Sequence, residues 1–163
     1  MITGEVYARA EAVLAACRAA GLTVATAESC TGGLVAGALT AVPGSSDVLD
    51  RGFVTYSNAA KMAMLGVPAA TLDAFGAVSE ETARAMAHGA LAASGVGLAV
   101  AITGVAGPGG GSELKPVGLV HFAAARADGT VLARRRTLGA RDRGEIRRLS
   151  VLEALDLLAA MAS

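Results

Sequence analysis

The sequence predicts an α/β fold, a single-domain α/β/α layered structure with a mixed sheet over residues 1–163. Three observations carry this. Short β-branched or continuously apolar segments alternate with segments of helical period, the order expected of a layered α/β domain. The dipeptide Asp128-Gly129 sits between two strand-like runs late in the chain, which calls for an antiparallel hairpin and therefore a mixed sheet. Hydrophobic residues make up 53% of the chain and charged residues 17%, so a core of useful size can form without disulfide staples. Aromatics are only 3% and Trp is absent, so that core must consist of Ala, Val and Leu in closely packed elements.

Taken in order, residues 4–20 read as a helix, with Val6, Ala10, Val13, Leu14 and Cys17 at helical spacing and Gly21 as its stop. Residues 23–27 form a short strand. A helix is expected from about Gly32 to Ala41, closed by Pro43-Gly44. Residues 51–57 read as a second strand, rich in β-branched and aromatic side chains. Asn58 is the expected cap of a short helix running to Leu65, where Gly66 and Pro68 end it. Ser79, followed by Glu80 and Glu81, starts a longer helix to about Ser94, because a hydroxyl caps free N–H groups and carboxylates suit the positive helix end. Residues 97–103 are apolar throughout, as a buried central strand requires. A glycine-rich loop follows from Gly104 to Pro116, then hairpin strands over 117–126 and 130–138. Asp142 and Glu145 have capping-box spacing before a last helix with an apolar stripe of Ile146, Leu149, Leu152, Leu155 and Leu158.

Several function classes are excluded by composition. Fourteen basic and fourteen acidic residues leave no basic field for nucleic acid, and aromatic stacking platforms are missing. Arg134, Arg135 and Arg136 alternate in direction along a strand, so they read as a solvated edge rather than a patch. No apolar run approaches the ~20 residues of a membrane span, and no signal peptide is recognisable. Cys17 and Cys30 have no metal or disulfide spacing and read as free cytosolic thiols, so the expected location is cytoplasmic. An Ala- and Val-rich surface makes a homodimer the expected assembly.

The chemistry concentrates in few places. Ala27-Glu28-Ser29-Cys30-Thr31-Gly32-Gly33 lies between a strand and a helix, where unpaired backbone N–H groups stand ready for an oxyanion. A serine needs a base to attack a carboxamide. His88 and His121 fall inside a predicted helix and strand with no evident acidic partner. Lysine is the other option, and the chain holds twelve arginines but only two lysines, Lys61 and Lys115. Arg cannot serve as a base near neutrality, which singles out Lys61, just beyond Thr55-Tyr56-Ser57-Asn58. A helix N-terminus and burial both disfavour its positive charge. Cys30 is a rival nucleophile, although it lacks a convincing histidine. The loop containing Thr103 and Gly104 follows a central strand, the usual place for ligands in open α/β sheets, and matches no phosphate-binding motif. Arg141 and Arg143 flank the start of the last helix, where guanidinium groups would hold a phosphate.

Together these segments resemble the CinA C-terminal-domain family, over about residues 5–160. The resemblance rests on the 27–33 motif, Pro43-Gly44-Ser45-Ser46, the Gly52–Asn58 segment leading to Lys61, Gly76-Ala77-Val78-Ser79, Thr103–Pro108 and Lys115-Pro116-Val117-Gly118. It implies a Ser–Lys amidase of pyridine nucleotide recycling that converts nicotinamide mononucleotide to nicotinate mononucleotide and ammonia. In that family the nucleophile lands on Ser29, its lysine on Lys61, the assisting tyrosine on Tyr56, an active-site serine on Ser46 and a substrate arginine on Arg143. Thr31, Gly32, Thr103, Gly104 and Arg141 complete the expected substrate site. No metal or organic cofactor is implied. A nucleotide sensor or competence-associated protein of the same fold is the alternative.

Overall fold

Large and small side chains alternate along the central strands, and this alternation sets the layering. The computed structural model describes Ile2 and residues 4–163. Its elements are α1 (Gly4–Ala20), β1 (Val24–Glu28), α2 (Leu34–Thr40), β2 (Leu49–Val54), α3 (Asn58–Leu65), α4 (Ala69–Phe75), α5 (Glu80–Ser94), β3 (Leu98–Gly104), β4 (Leu119–Arg126), β5 (Val131–Thr137) and α6 (Arg143–Ala162). The strands form one mixed sheet in the order β2-β1-β3-β4-β5. β1 is parallel to both β2 and β3, while β4 and β5 continue antiparallel as the expected hairpin. This is the α/β class that the sequence predicts.

Leu98, Val100 and Ile102 of β3 and Val120, Phe122 and Ala124 of β4 share one core with α1, α2 and α6. The opposite face of the same strands is alanine, with Ala99, Ala101, Ala123 and Ala125 against α3, α4 and α5. Small side chains there let α5 lie close to the sheet, which is how a core with few aromatics reaches normal density. The approach is closest where α5 crosses α3. A Cβ on Gly89 would fall 1.9 Å from the Leu65 carbonyl oxygen, so only glycine fits. On the other face α6 seats Ile146, Leu155, Leu157 and Leu158 fully buried, each contributing roughly 2 kcal/mol of hydrophobic stabilisation.

Three local features differ from expectation. β2 ends at Val54 instead of running to residue 57, and α3 is capped by Ser57, whose Oγ accepts from the Ala60 N–H at 3.0 Å, not by Asn58. α4 lies in a stretch with no assigned element, since seven residues are too few for a helical period to repeat. The capping box is half formed. Asp142 accepts from the Glu145 N–H at 2.9 Å, while the Glu145 carboxylate turns to Arg148. The arginine run lies on the sheet edge as expected, and Arg134 and Arg136 both grip Glu153 of α6 at 3.0 and 2.9 Å. Among the described residues no helix is long and apolar enough to cross a membrane, and Cys17 and Cys30 are buried free thiols.

Candidate active site

Because β1, β2 and β3 run parallel, their carboxyl ends lie at one edge of the sheet, where side chains distant in sequence converge. Ser29 follows β1, Tyr56 follows β2, and Thr103 and Gly104 close β3. β5 runs in the same sense as β3, so the segment after it delivers the start of α6, with Arg143, to the same edge.

The turn after β1 is built around a buried carboxylate. Glu28 is 0% exposed, and its oxygens accept from the backbone N–H groups of Gly33 (3.0 Å), Val35 (3.0 Å) and Ala36 (2.9 Å). A negative charge inside the first turn of α2 satisfies donors that the helix cannot satisfy itself. Gly32 and Gly33 take φ of 61° and 99°, the left-handed region that a side chain would resist. The Gly32 N–H is itself spent on the Ser29 carbonyl at 3.0 Å. Of the donors expected around an oxyanion, the N–H groups of Cys30 and Thr31 therefore remain without an acceptor among the described residues. Arg147 of α6 holds the Cys30 and Thr31 carbonyls at 3.2 and 3.3 Å. In a trans peptide the N–H opposes the carbonyl, so this grip turns the Thr31 N–H away from Arg147.

Lys61 enters from α3. It is 1% exposed, and its Nζ lies 3.1 Å from Ser29 Oγ and donates to the Thr55 carbonyl at 2.9 Å. Among the described residues no carboxylate bonds to it. Burial holds its pKa below the ordinary lysine value, outweighing an opposing pull from Cys30. A neutral amine next to a serine hydroxyl can accept the hydroxyl proton, so the pair has the geometry of a nucleophile and its base. Burial has the opposite effect on the Cys30 thiol, pushing it up to about 11. That leaves it a poor thiolate at neutral pH.

Ser29 and Lys61 open into a cavity of about 270 Å³ that is also lined by Cys30, Tyr56, Thr103, Gly104 and Arg143. The Thr103 hydroxyl donates to the Ala77 carbonyl at 2.7 Å, tying β3 to the loop before α5. Arg143 donates to the Tyr56 hydroxyl at 2.8 Å and to the Gly107 carbonyl at 2.7 Å, and both Arg143 and Tyr56 line the cavity. Tyr56 is 63% exposed and makes no bond to Lys61, so its partner is the guanidinium and the base meets the nucleophile directly.

Four expected residues stand outside the cavity wall. Ser46 lies in the short 3-10 turn Ser45–Asp47 ahead of β2, whose next residue Val48 pairs with Val24 at the amino end of β1. That is the opposite edge of the sheet from Ser29. Arg141 donates to the Leu138 carbonyl at 2.8 Å and so braces its own loop. Thr31 is buried with no hydrogen bond to its Oγ1 among the described residues, and Gly32 acts through its backbone. His88 and His121 line no part of the cavity. A second cavity of about 340 Å³ lies beside Arg147, with Ile2, Val6, Leu34 and Val151 in its wall, and holds neither nucleophile nor base. Among the described residues no cluster of three or more His, Cys, Asp or Glu side chains is arranged for a metal ion.

Sequence reasoning gave no role to Glu28 and Arg147. Their signals were faint: a carboxylate six residues before the start of α2, and an arginine one turn after Arg143.

Comparison with known proteins follows the same geometry. Residues 7–162 match the family model of the CinA C-terminal domain. A CinA-like protein of Anaeromyxobacter dehalogenans is 56% identical over 146 residues, covering 90% of this chain and 35% of that protein. The chain thus spans about a third of the length of the curated relatives it matches. Among solved structures, the competence/damage inducible protein CihA from Agrobacterium tumefaciens superposes with a TM-score of 0.97 at 53% identity, covering 100% of this chain and 99% of the other. A CinA superfamily protein from Klebsiella pneumoniae gives 0.91 at 36% identity, covering 96% and 97%.

Proposed function

The chain belongs to the CinA C-terminal domain family, and on that premise we propose that it is a serine amidase that hydrolyses nicotinamide mononucleotide to nicotinate mononucleotide and ammonia. One observation carries the reading: a buried Lys61 amine with no acidic partner among the described residues, 3.1 Å from Ser29 Oγ, at a cavity that Cys30 also lines.

The steps follow from that arrangement. Ser29 Oγ attacks the carboxamide carbon and its proton passes to neutral Lys61. The carbonyl oxygen becomes an oxyanion held by the Cys30 N–H at the cavity wall, a device worth about 3 kcal/mol per donor. Protonated Lys61 then gives its proton to the amide nitrogen, the C–N bond breaks, and ammonia leaves an acyl ester on Ser29. Water attacks that ester, Lys61 takes the water proton, and its return to Ser29 Oγ releases the acid. Arg143 holds the phosphate at the cavity mouth and so aims the carboxamide at Ser29. To reach the phosphate its guanidinium exchanges bonds with Tyr56 or Gly107, or offers the donors they leave unused.

Ammonia release from nicotinamide mononucleotide, measured for wild type and Ser29→Ala with a chelator present, tests this. Release by the wild type alone is expected. Binding of the nucleotide without release by either protein would favour the sensor, a reading in keeping with relatives whose names speak of competence and damage induction.

A further inference from the structure

The cavity has one polar side chain that neither the fold nor the dyad employs. Asn58, the first residue of α3, lines the cavity together with Ser29, Lys61 and Arg143. Every other uncharged polar side chain on that wall is engaged: Ser29 with Lys61, Thr103 with Ala77, and Tyr56 with Arg143. The Asn58 amide has no hydrogen bond to any described residue, and Ser57 performs the helix capping that an asparagine at this place would otherwise supply. The group thus has no local hydrogen-bonding duty and lines the cavity into which Ser29 and Lys61 open.

Resting on the amidase reading above, we infer that Asn58 is a specificity-determining residue that reads the carboxamide, its side-chain oxygen accepting an N–H of the substrate amide. An asparagine offers one acceptor and two donors, which complement a carboxamide. The acid product has no N–H to give. With the side-chain oxygen turned toward the ligand, this contact differs between amide and acid, whereas Arg143 sees the same phosphate in both.

The test uses the full chain with Ser29→Ala as parent, so that no ligand is consumed. Dissociation constants for nicotinamide mononucleotide and its acid counterpart are measured by calorimetry for the parent and for added Asn58→Leu or Asn58→Asp. Asn58→Leu is expected to weaken the amide about tenfold and leave the acid within twofold, in line with loss of one hydrogen bond. Asn58→Asp keeps an acceptor and is expected to hold the amide within about threefold of the parent while weakening the acid, because two carboxylates then face one another. Asn58 is exposed at a helix start, where Asp is well tolerated, so both variants fold. Equal weakening of both ligands by Asn58→Leu, or no change in either, overturns the inference. A tenfold selective loss in a protein whose wild type releases no ammonia would instead overturn the amidase reading and leave Asn58 as the amide reader of a binding protein.

Discussion

Lys61 Nζ lies 3.1 Å from Ser29 Oγ, and the two residues are 32 positions apart in the chain. Parallel strands β1 and β2 end side by side, so the turn after one and the helix after the other meet at the sheet edge. Among the described residues the lysine has no ion-pair partner to offset its burial, and that sets the chemistry expected of it.

Ser29→Ala should abolish ammonia release, by at least about a thousandfold, while leaving the fold intact, because a triad-type nucleophile acts as part of a unit. Cys30→Ala should retain activity, since burial pushes its thiol up to about 11 and so keeps it protonated at neutral pH. Steady-state ammonia assays on the two variants decide between serine and cysteine. An inactive Cys30→Ala beside an active Ser29→Ala would reverse the assignment.

Lys61→Met should lose turnover to a similar degree yet show a melting temperature at or above that of the wild type. Burial of an unpaired amine opposes folding, and an apolar side chain of similar length removes that opposition. Lys61→Arg should not restore activity, because a guanidinium stays protonated. A sharp drop in melting temperature for Lys61→Met would show that the lysine is structural.

The pH dependence has a definite sign. Burial favours neutral Lys61, so its folded-state pKa lies below the unfolded value. The rate constant kcat/KM should rise as pH increases through the depressed folded pKa and level off above it. Stability follows the same direction: below the unfolded lysine pKa the unfolded chain binds more protons, so unfolding free energy gains with pH between the two values. A pH–rate profile that falls through this range would contradict a lysine base.

Arg143→Ala should raise KM for the nucleotide about tenfold or more and leave the corresponding nucleoside nearly unaffected, as removal of a charged phosphate contact does. Tyr56→Phe should act chiefly through KM as well, because the tyrosine hydroxyl is bonded to Arg143 at 2.8 Å and not to the base. Kinetics with both substrates check this. A fall in kcat for Tyr56→Phe with unchanged KM would return the tyrosine to the proton path.

Glu28→Ala should destabilise the protein by about 3 kcal/mol, since three buried or half-buried N–H groups lose a charged acceptor. Urea unfolding measures the loss. Little change would mean that water replaces the carboxylate and that the turn holds itself.

Much of this was legible in the primary structure because it depends on local chemistry. Gly21, Gly66 and Gly95 stop helices through positive φ, Ser79 caps α5, and Asp128-Gly129 turns the hairpin. Each effect is decided within four or five residues. Where two neighbours compete for one local role the sequence is ambiguous, which is how Ser57 came to cap α3 in place of Asn58. Ser46 was drawn into the site by resemblance alone, and only the strand register shows it at the other end of β1.

What the sequence by itself determined is therefore the class of fold, the order of its elements, and the candidate nucleophile and base. Scarcity made Lys61 visible and the Ser29 turn was visible from its glycines. Tertiary structure alone decided which partners these groups have. It placed Glu28 across the α2 N-terminus, left only the Cys30 and Thr31 N–H groups open, and gave Tyr56 to Arg143 rather than to Lys61. The Arg147–Cys30 hydrogen bond at the site links residues 117 positions apart, and such distances are set by sheet order and layer packing, which no local period encodes.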